Sequence, residues 1–361
     1  MKLIINTTTL QEMVSKAVRG TGNNKLLPIT EMLGIKLDES GELVLSTTDG
    51  TNYLYISESD IAGDSFNVTV YADIFSKLIA RMTCEKISME LKENYLEVKG
   101  NGTYKIELPF DENGNIVQFP NLVSTLNVDN SKRSQIKLST IQTILNSVKP
   151  ALATTLENPC YTAYWAGDKV LATDSYMIAS YAIPVFDEPK LINANMMDLL
   201  SVMTDEIIEV TEGENILVFS STNCTVYGKT YEGINEFAIE PITGLLESEF
   251  GSSCEINKTS LLQVLDRLTL FIRPFDDGNI NMTFTNEGLV ITSMANSGSE
   301  LIHYMGSDNF KEFHCSINVN LLQSQVKSNI SDGVKIYYGE DSCIKIIDGM
   351  ITKIVALNET N

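Results

Sequence analysis

Short runs of alternating apolar and polar residues, each followed by a polar cap and by apolar residues at helical spacing, recur three times along the chain. The three runs extend from Leu3 to Val14, from Gln135 to Leu145 and from Glu255 to Leu265. In each, a serine, threonine or asparagine stands where its side chain can accept hydrogen bonds from the first helical turn. Apolar residues three and four apart then favour a helix. We therefore predict three strand–cap–helix units.

A second helix follows in every unit, and after it come two or three alternating strands joined by turn residues such as Asp348-Gly349. These second helices are predicted over Ala72 to Met82, Asn193 to Met203 and Asn318 to Ser328. The order, type and spacing of the elements agree over a period of about 120 residues, which is long enough for each copy to be a domain. The predicted domains are 1–125, 126–247 and 248–361.

The charge of the chain is unevenly distributed. A net charge of −21 would repel nucleic acid if it were spread evenly. However, the predicted helical segments with their flanks hold 15 Lys and Arg against 5 Asp and Glu, whereas the rest holds 11 against 42. These segments are 7–25, 72–86, 130–156, 190–203, 257–274 and 318–328. With no aromatic residues interleaved for base stacking, the pattern indicates sequence-independent contact with a phosphate backbone.

Residues that carry catalysis or bind metals are sparse. The six cysteines lie too far apart for a zinc site or a redox pair, and His303 and His314 lack neighbours that suggest catalysis. The sequence contains no phosphate-binding loop and no nucleophile elbow. We therefore expect no enzyme, no metal and no cofactor. Without a long apolar run or a secretory leader, we also expect a cytoplasmic protein that does not contact a membrane.

Several motifs resemble the bacterial DNA sliding clamp, the β subunit of DNA polymerase III. Leu27-Pro28-Ile29 and the run from Glu42 to Asp49 are similar to the opening of its first domain. Phe119-Pro120-Asn121-Leu122 is similar to the end of that domain. The run from Val170 to Ala179 resembles the Ala-Thr-Asp-Gly-His-Arg-Leu-Ala motif of its second domain. The resemblance covers the whole chain in order and is typical of a diverged or phage-encoded member.

The resemblance implies a fold and a function. Three tandem α+β clamp domains, each with two helices packed on antiparallel sheets, would form a crescent, and two crescents would close head to tail into a homodimeric ring around double-stranded DNA. Such a ring is a processivity factor that tethers the replicative polymerase and other partners and is opened by a clamp-loader ATPase. The basic residues expected to face the DNA are Lys25, Lys77, Arg81, Lys132, Arg133, Lys137, Lys149, Lys258 and Arg267.

The resemblance also implies an apolar pocket that binds short peptides of partner proteins. Its expected residues are Tyr161, Thr173, Ser175, Tyr176, Met177, Ile178, Ile354, Val355, Ala356 and Leu357. Ser175, Tyr176 and Met177 replace the Gly, His and Arg of the family motif, and the tail from Leu357 to Asn361 lacks the family's Met-Pro-Met-Arg-Leu ending. These departures predict partner peptides with a different consensus.

Ring closure in the family joins an edge strand of the first domain to the third domain. Tyr104, Ile106 and Leu108 would supply the strand, and Phe271 and Ile272 would face it. Two other interpretations stay open: a β-rich interaction or structural protein, such as a virion component, and the two-domain trimeric clamp of archaea and eukaryotes. The basic segments disfavour the former, and the presence of three units disfavours the latter.

Overall fold

The computed structural model describes residues 1–120, 132–213, 215–340 and 342–358. The chain divides into two compact units, which we call unit 1 (Met1–Ile141 and Asn195–Thr230) and unit 2 (Gln142–Ala194 and Tyr231–Asn361). The predicted boundary between residues 125 and 126 lies outside the described residues, as do Asn121-Leu122 of the predicted motif and the last three residues of the tail. The three domain ranges therefore stay a prediction.

The chain opens with the predicted strand, cap and helix. Asn6 Oδ1 accepts a hydrogen bond from the Thr8 amide at 2.9 Å, which satisfies one of the first-turn donors that a helix leaves free. The elements up to residue 120 are β1 (Lys2–Asn6), α1 (Thr7–Ala17), β2 (Met32–Leu37), β3 (Leu43–Thr48), β4 (Asn52–Glu58), β5 (Ala62–Gly63), β6 (Phe66–Tyr71), α2 (Ala72–Ala80), β7 (Lys86–Leu91), β8 (Tyr95–Lys99) and β9 (Thr103–Glu107). The strands β5 and β6 were not predicted from the sequence.

The middle of the chain repeats this order. Its helices are shorter than predicted: α3 passes into a π-turn over Ile144–Val148, and the predicted helix from Asn193 to Met203 is α-helical over six residues only. The elements are β10 (Arg133–Lys137), α3 (Leu138–Thr143), β11 (Ala163–Ala166), β12 (Val170–Thr173), β13 (Met177–Tyr181), β14 (Lys190–Asn193), α4 (Ala194–Leu199), β15 (Ile207–Glu212), β16 (Ile216–Ser220) and β17 (Cys224–Lys229).

The last part begins with a helix that was not predicted and then repeats the order a third time. Asn257 and Asn318 cap its two later helices as Asn6 caps α1. The elements are α5 (Ile239–Glu247), β18 (Ser252–Asn257), α6 (Lys258–Thr269), β19 (Asn279–Phe284), β20 (Leu289–Ser293), β21 (Ser299–Ile302), β22 (Gly306–Asp308), β23 (Phe313–Asn318), α7 (Val319–Lys327), β24 (Gly333–Tyr338), β25 (Cys343–Asp348) and β26 (Ile351–Ala356).

Unit 1 contains two antiparallel sheets, with strand orders β5-β1-β7-β8-β9 and β10-β15-β16-β17-β4-β3-β2-β6. The second sheet is continuous across two of the predicted copies because β17 pairs with β4, which we call the first joint. Helix α1 buries Leu10 and Val14, and α2 buries Phe75 and Ile79. The two apolar side chains of each pair have the four-residue spacing that places them on one helix face.

Unit 2 is built in the same way, from sheets ordered β14-β11-β12-β13-β26-β25-β24-β18-β22 and β21-β20-β19-β23. Its nine-stranded sheet is continuous because β13 pairs with β26, which we call the second joint. The core includes Phe284 stacked on Tyr338, with 3.9 Å between the ring centroids. Edge-to-edge pairing of strands from different copies is therefore present within each unit.

Candidate nucleic-acid interface and partner-binding site

Three of the predicted DNA-facing residues lie at the surface of unit 1, close to α1 and α2. Lys25 is exposed in the loop after α1, and Lys77 Nζ lies 2.7 Å from Asp73 Oδ1 in an exposed ion pair within α2. Arg81 Nη1 donates to the Lys77 carbonyl at 3.2 Å. Because an exposed ion pair contributes little free energy, phosphate can compete with Asp73 for Lys77. The exposed Arg81 side chain can also approach phosphate.

Lys132, Arg133 and Lys137 are exposed, but they lie in or beside β10, at the edge of a sheet, rather than on a helix. The six helices α1–α4, α6 and α7 together carry five basic and four acidic residues. Most of the positive charge of the predicted segments therefore lies in their flanks. The helical spacing of apolar residues did not show where the strand ends and the helix begins, so the basic residues of the strand were assigned to the helical segment.

Lys149, Lys258 and Arg267 lie in unit 2, and two of them have strong protein partners. Arg267 donates from Nε and Nη2 to the two carboxylate oxygens of Glu300 at 2.9 and 2.6 Å. This pairing raises the pKa of Arg267 and lowers that of Glu300. Lys258 is half-buried and donates to the Asn329 carbonyl at 2.5 Å. The ammonium group of Lys258 therefore binds the chain just after α7 and does not extend from the exposed surface.

Three further basic residues were not singled out from the sequence. Lys16 and Lys327 occupy the last turns of α1 and α7, and Arg19 lies just beyond α1, where its Nη1 donates to Ser201 Oγ at 3.3 Å. A cation in the last helical turn interacts favourably with the helix dipole. That position was the signal that could have identified Lys16 and Lys327.

The predicted pocket is centred on the turn between β12 and β13. Thr173 Oγ1 donates to the Met177 carbonyl at 2.7 Å and accepts from the Ser175 amide at 3.1 Å. Asp174 Oδ1 accepts from the Tyr176 and Met177 amides at 2.9 and 2.6 Å, and burial raises the pKa of this carboxyl group. Ser175 has a φ of +80°, in the left-handed region that favours glycine. The hydrogen bonds hold this turn in place.

The ten predicted pocket residues divide by exposure. The buried ones are Thr173, Met177, Ile178, Ile354 and Val355; Tyr161, Ala356 and Leu357 are half-buried, and Ser175 and Tyr176 are exposed. Tyr176 is 65% exposed, and its carbonyl accepts from the Ala356 amide at 2.9 Å. The accessible surface is thus formed by the tip of the turn and the end of β26, above an apolar floor.

A large part of that floor is formed by residues that were not predicted from the sequence. Phe237 and Ile242, just before and within α5, pack in one cluster with Ile178 and Ile354. The Phe237 ring meets the Tyr161 ring edge-on, with 5.3 Å between the centroids. Alongside, residues 234–241 line a groove of about 750 Å³. The helical spacing of the apolar residues in α5 was the signal that could have found it.

The residues predicted to close the ring are only partly accessible. Tyr104 in β9 is 39% exposed and Phe271, just after α6, is 45% exposed. Ile106 and Leu108 are buried at 5% and 4% exposure, and Ile272 is half-buried against the core of unit 2. The contacts that Ile106 and Leu108 make are therefore inside unit 1.

Other chemistry is sparse in the described part of the chain. Among residues 1–120, 132–213, 215–340 and 342–358, no group of three or more His, Cys, Asp or Glu could hold a metal ion. All six cysteines are free, and burial raises the pKa of Cys224, Cys254 and Cys315 to about 12. No helix within the described ranges is long and apolar enough to cross a membrane.

The sequence matches no protein-family model and no curated protein, but the fold matches solved structures over its full length. The DNA polymerase sliding clamp of Bacillus subtilis is 16% identical, with a TM-score of 0.86 and 100% of both chains covered. The β subunit of DNA polymerase from Streptococcus pyogenes is 17% identical, with the same TM-score and coverage. The DNA polymerase III β subunit of Thermotoga maritima is 14% identical, with a TM-score of 0.83 and full coverage. The predicted α+β fold of bacterial sliding clamps is confirmed.

Proposed function

We propose that this chain is a sliding clamp, a non-catalytic processivity factor that encircles double-stranded DNA as a homodimeric ring. The full-length similarity of its fold to bacterial sliding clamps carries the proposal. Three tandem domains would form each protomer, with the ranges predicted above. The ring would act in the cytoplasm, without a cofactor, and would tether a replicative DNA polymerase after loading by a separate clamp-loader ATPase.

Strand order supports the proposed ring closure. Strand β9 ends the five-stranded sheet and β21 ends the four-stranded sheet, and neither outer edge has a strand partner among the residues described. Pairing β9 of one protomer with β21 of the next would give nine strands, as many as the sheet that contains the second joint. Because the joint is head to tail, a twofold operation generates two such contacts and closes the ring.

The exposed side chains are the ones that can form the proposed contact between protomers. Tyr104 and Phe271 are accessible and would contact each other across it, whereas Ile106 and Leu108 would support β9 from within. Replacing Ile106 with lysine would therefore damage the fold of unit 1 instead of testing the joint. Tyr104→Lys places a charge in the joint and leaves the buried side chains intact, so it should shift the dimer towards monomer.

The proposed DNA contacts are weak and indifferent to sequence. Lys25, Lys77, Arg81 and the three basic residues around β10 are exposed side chains that can approach phosphate. Arg267 would contribute only by exchanging Glu300 for phosphate, and Lys258 would contribute least. Such contacts let a ring slide, and they weaken as salt rises because bound counterions are released.

The proposed partner pocket binds an apolar segment of a polymerase or of the loader. Tyr176 offers an exposed ring at the turn, where its carbonyl accepts from the Ala356 amide, next to the floor formed by Ile178 and Ile354. A ring at this position contributes apolar area and a hydroxyl that can donate a hydrogen bond. Partner peptides should therefore carry an apolar anchor residue and a neighbouring acceptor.

The deciding experiment measures solution mass by light scattering and then retention on circular DNA before and after the circle is cut. After loading, a clamp gives a dimer that stays on circles and leaves linear DNA through its ends. Tyr104→Lys should lose both the dimer mass and the retention on circles. A chain that stays monomeric, or that leaves circles as fast as cut DNA, would refute the proposal and favour a structural role for the repeats.

A further inference from the structure

Two buried lysines project from the β25–β26 hairpin towards opposite faces of the nine-stranded sheet. Lys345 lies opposite Ile354 and Lys353 lies opposite Ile346, and residues directly opposite in a ladder share a face. Ile354 packs in the cluster that includes Ile242 of α5, and Ile346 packs in the core that includes α6 and α7. Because lysines are rarely buried, their positions at 6% and 0% exposure require an explanation.

Lys345 lies at the C-terminal end of α5. Its Nζ donates to the carbonyls of Leu246 and Ser248 at 2.8 and 2.5 Å, and it lies 5.0 Å from the centroid of the Phe250 ring. The last carbonyls of a helix have no donor within the helix, and a cation is favoured there by the dipole. Lys345 therefore anchors the end of α5 to the hairpin.

Lys353 does the same for α7 on the other face. Its Nζ donates to the Gln325 carbonyl at 2.9 Å, to Ser328 Oγ at 2.8 Å and to Asn329 Oδ1 at 2.8 Å. The three N–H bonds of an ammonium group thus meet three oxygen acceptors. Ser147 Oγ donates to the Ser328 carbonyl at 3.0 Å. The end of α7 is therefore held by several side chains around Lys353.

Both anchored helices adjoin the proposed pocket. Ser324 Oγ and Gln325 Nε2 of α7 lie 3.3 and 3.2 Å from the sulfur of Met177, at the end of the pocket turn. Helix α5 contributes Ile242 to the floor beneath Ile354. The hairpin that carries the two lysines thus connects both helices to the strand that ends at the pocket.

We infer that Lys345 and Lys353 are positioning residues of the partner pocket, because Lys345 holds α5 and Lys353 holds α7 against the strand that forms the pocket floor. The link to partner binding rests on the proposed function, whereas the anchoring of the two helices does not. Burial lowers the pKa of both lysines, that of Lys353 to about 7. The charged groups that act on Lys353 are Asp348, which favours its protonation, and Lys258, which opposes it.

The test compares the full-length wild-type chain with Lys353→Met, Lys353→Arg and Lys345→Met. The probe is the tightest hexapeptide selected from a random library on the wild-type chain, accepted only if Tyr176→Ala abolishes its binding. Each methionine variant should bind the probe about tenfold more weakly, since the hydrogen bonds of the lysine ammonium group to the end of the helix are lost in each.

The pH dependence separates positioning by charge from a general loss of stability. Wild-type affinity should fall between pH 6 and pH 9 as Lys353 loses its proton, and Lys345→Met should keep that fall. Lys353→Met should show no such fall, and Lys353→Arg should retain affinity at both pH values because arginine stays charged. A fall that persists in Lys353→Met would overturn the role of this lysine.

Amide hydrogen exchange tests the anchoring without any partner. Exchange should accelerate at the end of α5 in Lys345→Met and at residues 328–331 in Lys353→Met, each without change at the other helix. Unchanged exchange in both variants overturns the inference, and so does altered exchange with unchanged probe affinity. A library that yields no binder dependent on Tyr176 refutes the proposed pocket and the positioning role with it, while altered exchange would still show that the lysines anchor the helices.

Discussion

The first joint in unit 1 and the second joint in unit 2 begin with turns that have the same hydrogen bonds. In the first turn, Thr48 Oγ1 donates to the carbonyl four residues on at 2.7 Å, and Asp49 Oδ1 accepts from the amides two and three residues on at 2.9 and 2.7 Å. In the second turn, Thr173 and Asp174 make the same three bonds. A Thr-Asp pair therefore specifies this turn locally in both copies.

The turns differ at the position with positive φ. Gly50 occupies it in the first turn with φ +97°, and Ser175 occupies it in the second with φ +80°. A residue with a Cβ is strained there. The strained residue thus stands in the turn that carries the exposed Tyr176, where strain is commonly retained for function.

The side chains across the joints differ more. At the third residue of β4, Leu54 lies opposite Val226 in the first joint. At the third residue of β13, Ala179 lies opposite Lys353 in the second joint. Val226 and Lys353 are both fully buried. The same strand pairing therefore accommodates either an apolar pair or a buried lysine. A buried lysine is tolerated only where hydrogen-bond acceptors lie within reach of its ammonium group.

The largest effect is expected when the first joint is given the cation of the second. Val226→Lys should destabilise unit 1 by roughly 4 kcal/mol or more, because a charge is buried without an arranged set of acceptors. Val226→Met controls for volume and should cost about 1 to 3 kcal/mol. Hydrogen exchange of the α1 amides measures both. Equal costs for the two variants would show that the joints do not differ in their tolerance of charge.

The second joint should respond to pH and the first should not. Because burial lowers the pKa of Lys353 in the folded chain to about 7, from the ordinary lysine value of 10.5, the unfolded chain binds more protons between these values, and stability rises with pH. From pH 7 to pH 9 the gain should be roughly 2 to 3 kcal/mol. Urea unfolding followed by Trp165, the single tryptophan, reports on unit 2. Lys353→Met should remove this slope, and a slope that survives would contradict the assignment to Lys353.

Removing the turn carboxylates tests whether the two turns are equivalent. Asp174→Ala should cost about 2 kcal/mol because two backbone amides lose their acceptor. Asp49→Ala should cost more, since Asp49 Oδ2 also accepts from Asn52 Nδ2 at 2.8 Å. Trp165 fluorescence in urea measures the former variant, and exchange of the α1 amides measures the latter. If Asp49→Ala were the milder change, the extra bond would have no energetic weight.

The smallest effect is expected from substitutions at the two positions with positive φ, Ser175 and Gly50. Ser175→Gly should stabilise unit 2 by about 1 kcal/mol, and Gly50→Ala should destabilise unit 1 by a similar amount. The same urea and exchange measurements apply. A destabilised Ser175→Gly would mean that the serine side chain contributes more than the strain it causes.

Local signals in the sequence predicted most elements of the fold but not all. The first and third strand–cap–helix units were identifiable because an asparagine cap and apolar spacing act within a few residues, and the middle unit was identifiable by its apolar spacing. The strands β5, β14 and β22 were missed because segments of two to four residues are too short to show periodicity. The strands β6 and β23 and the helix α5 were also missed, although their apolar residues have strand or helical spacing. The shorter extent of α4 follows from its early change to a 3₁₀ turn at Leu200–Val202.

The candidate sites were predicted as segments rather than as surfaces. The sequence placed Ile106 and Leu108 at a joint and Ile354 and Val355 at a pocket, but tertiary packing buries all four. Alternation along a strand shows that two faces differ, and it does not show which face meets solvent. Tyr176 remains accessible because it lies at the tip of a turn.

By itself, the sequence determined the threefold repeat, the caps, the Thr-Asp turns and the segregation of charge, since each depends on residues close together in the chain. Only the tertiary structure decided that β17 pairs with β4 and β13 with β26, that α5 packs against Ile178 and Ile354 of the proposed pocket and that Lys353 is surrounded by acceptors. The two strand pairings join residues more than a hundred positions apart, and the acceptors of Lys353 lie 24 to 28 positions from it in the chain. Their free energy comes from burial and hydrogen bonds formed only when distant segments meet, and no local pattern records that.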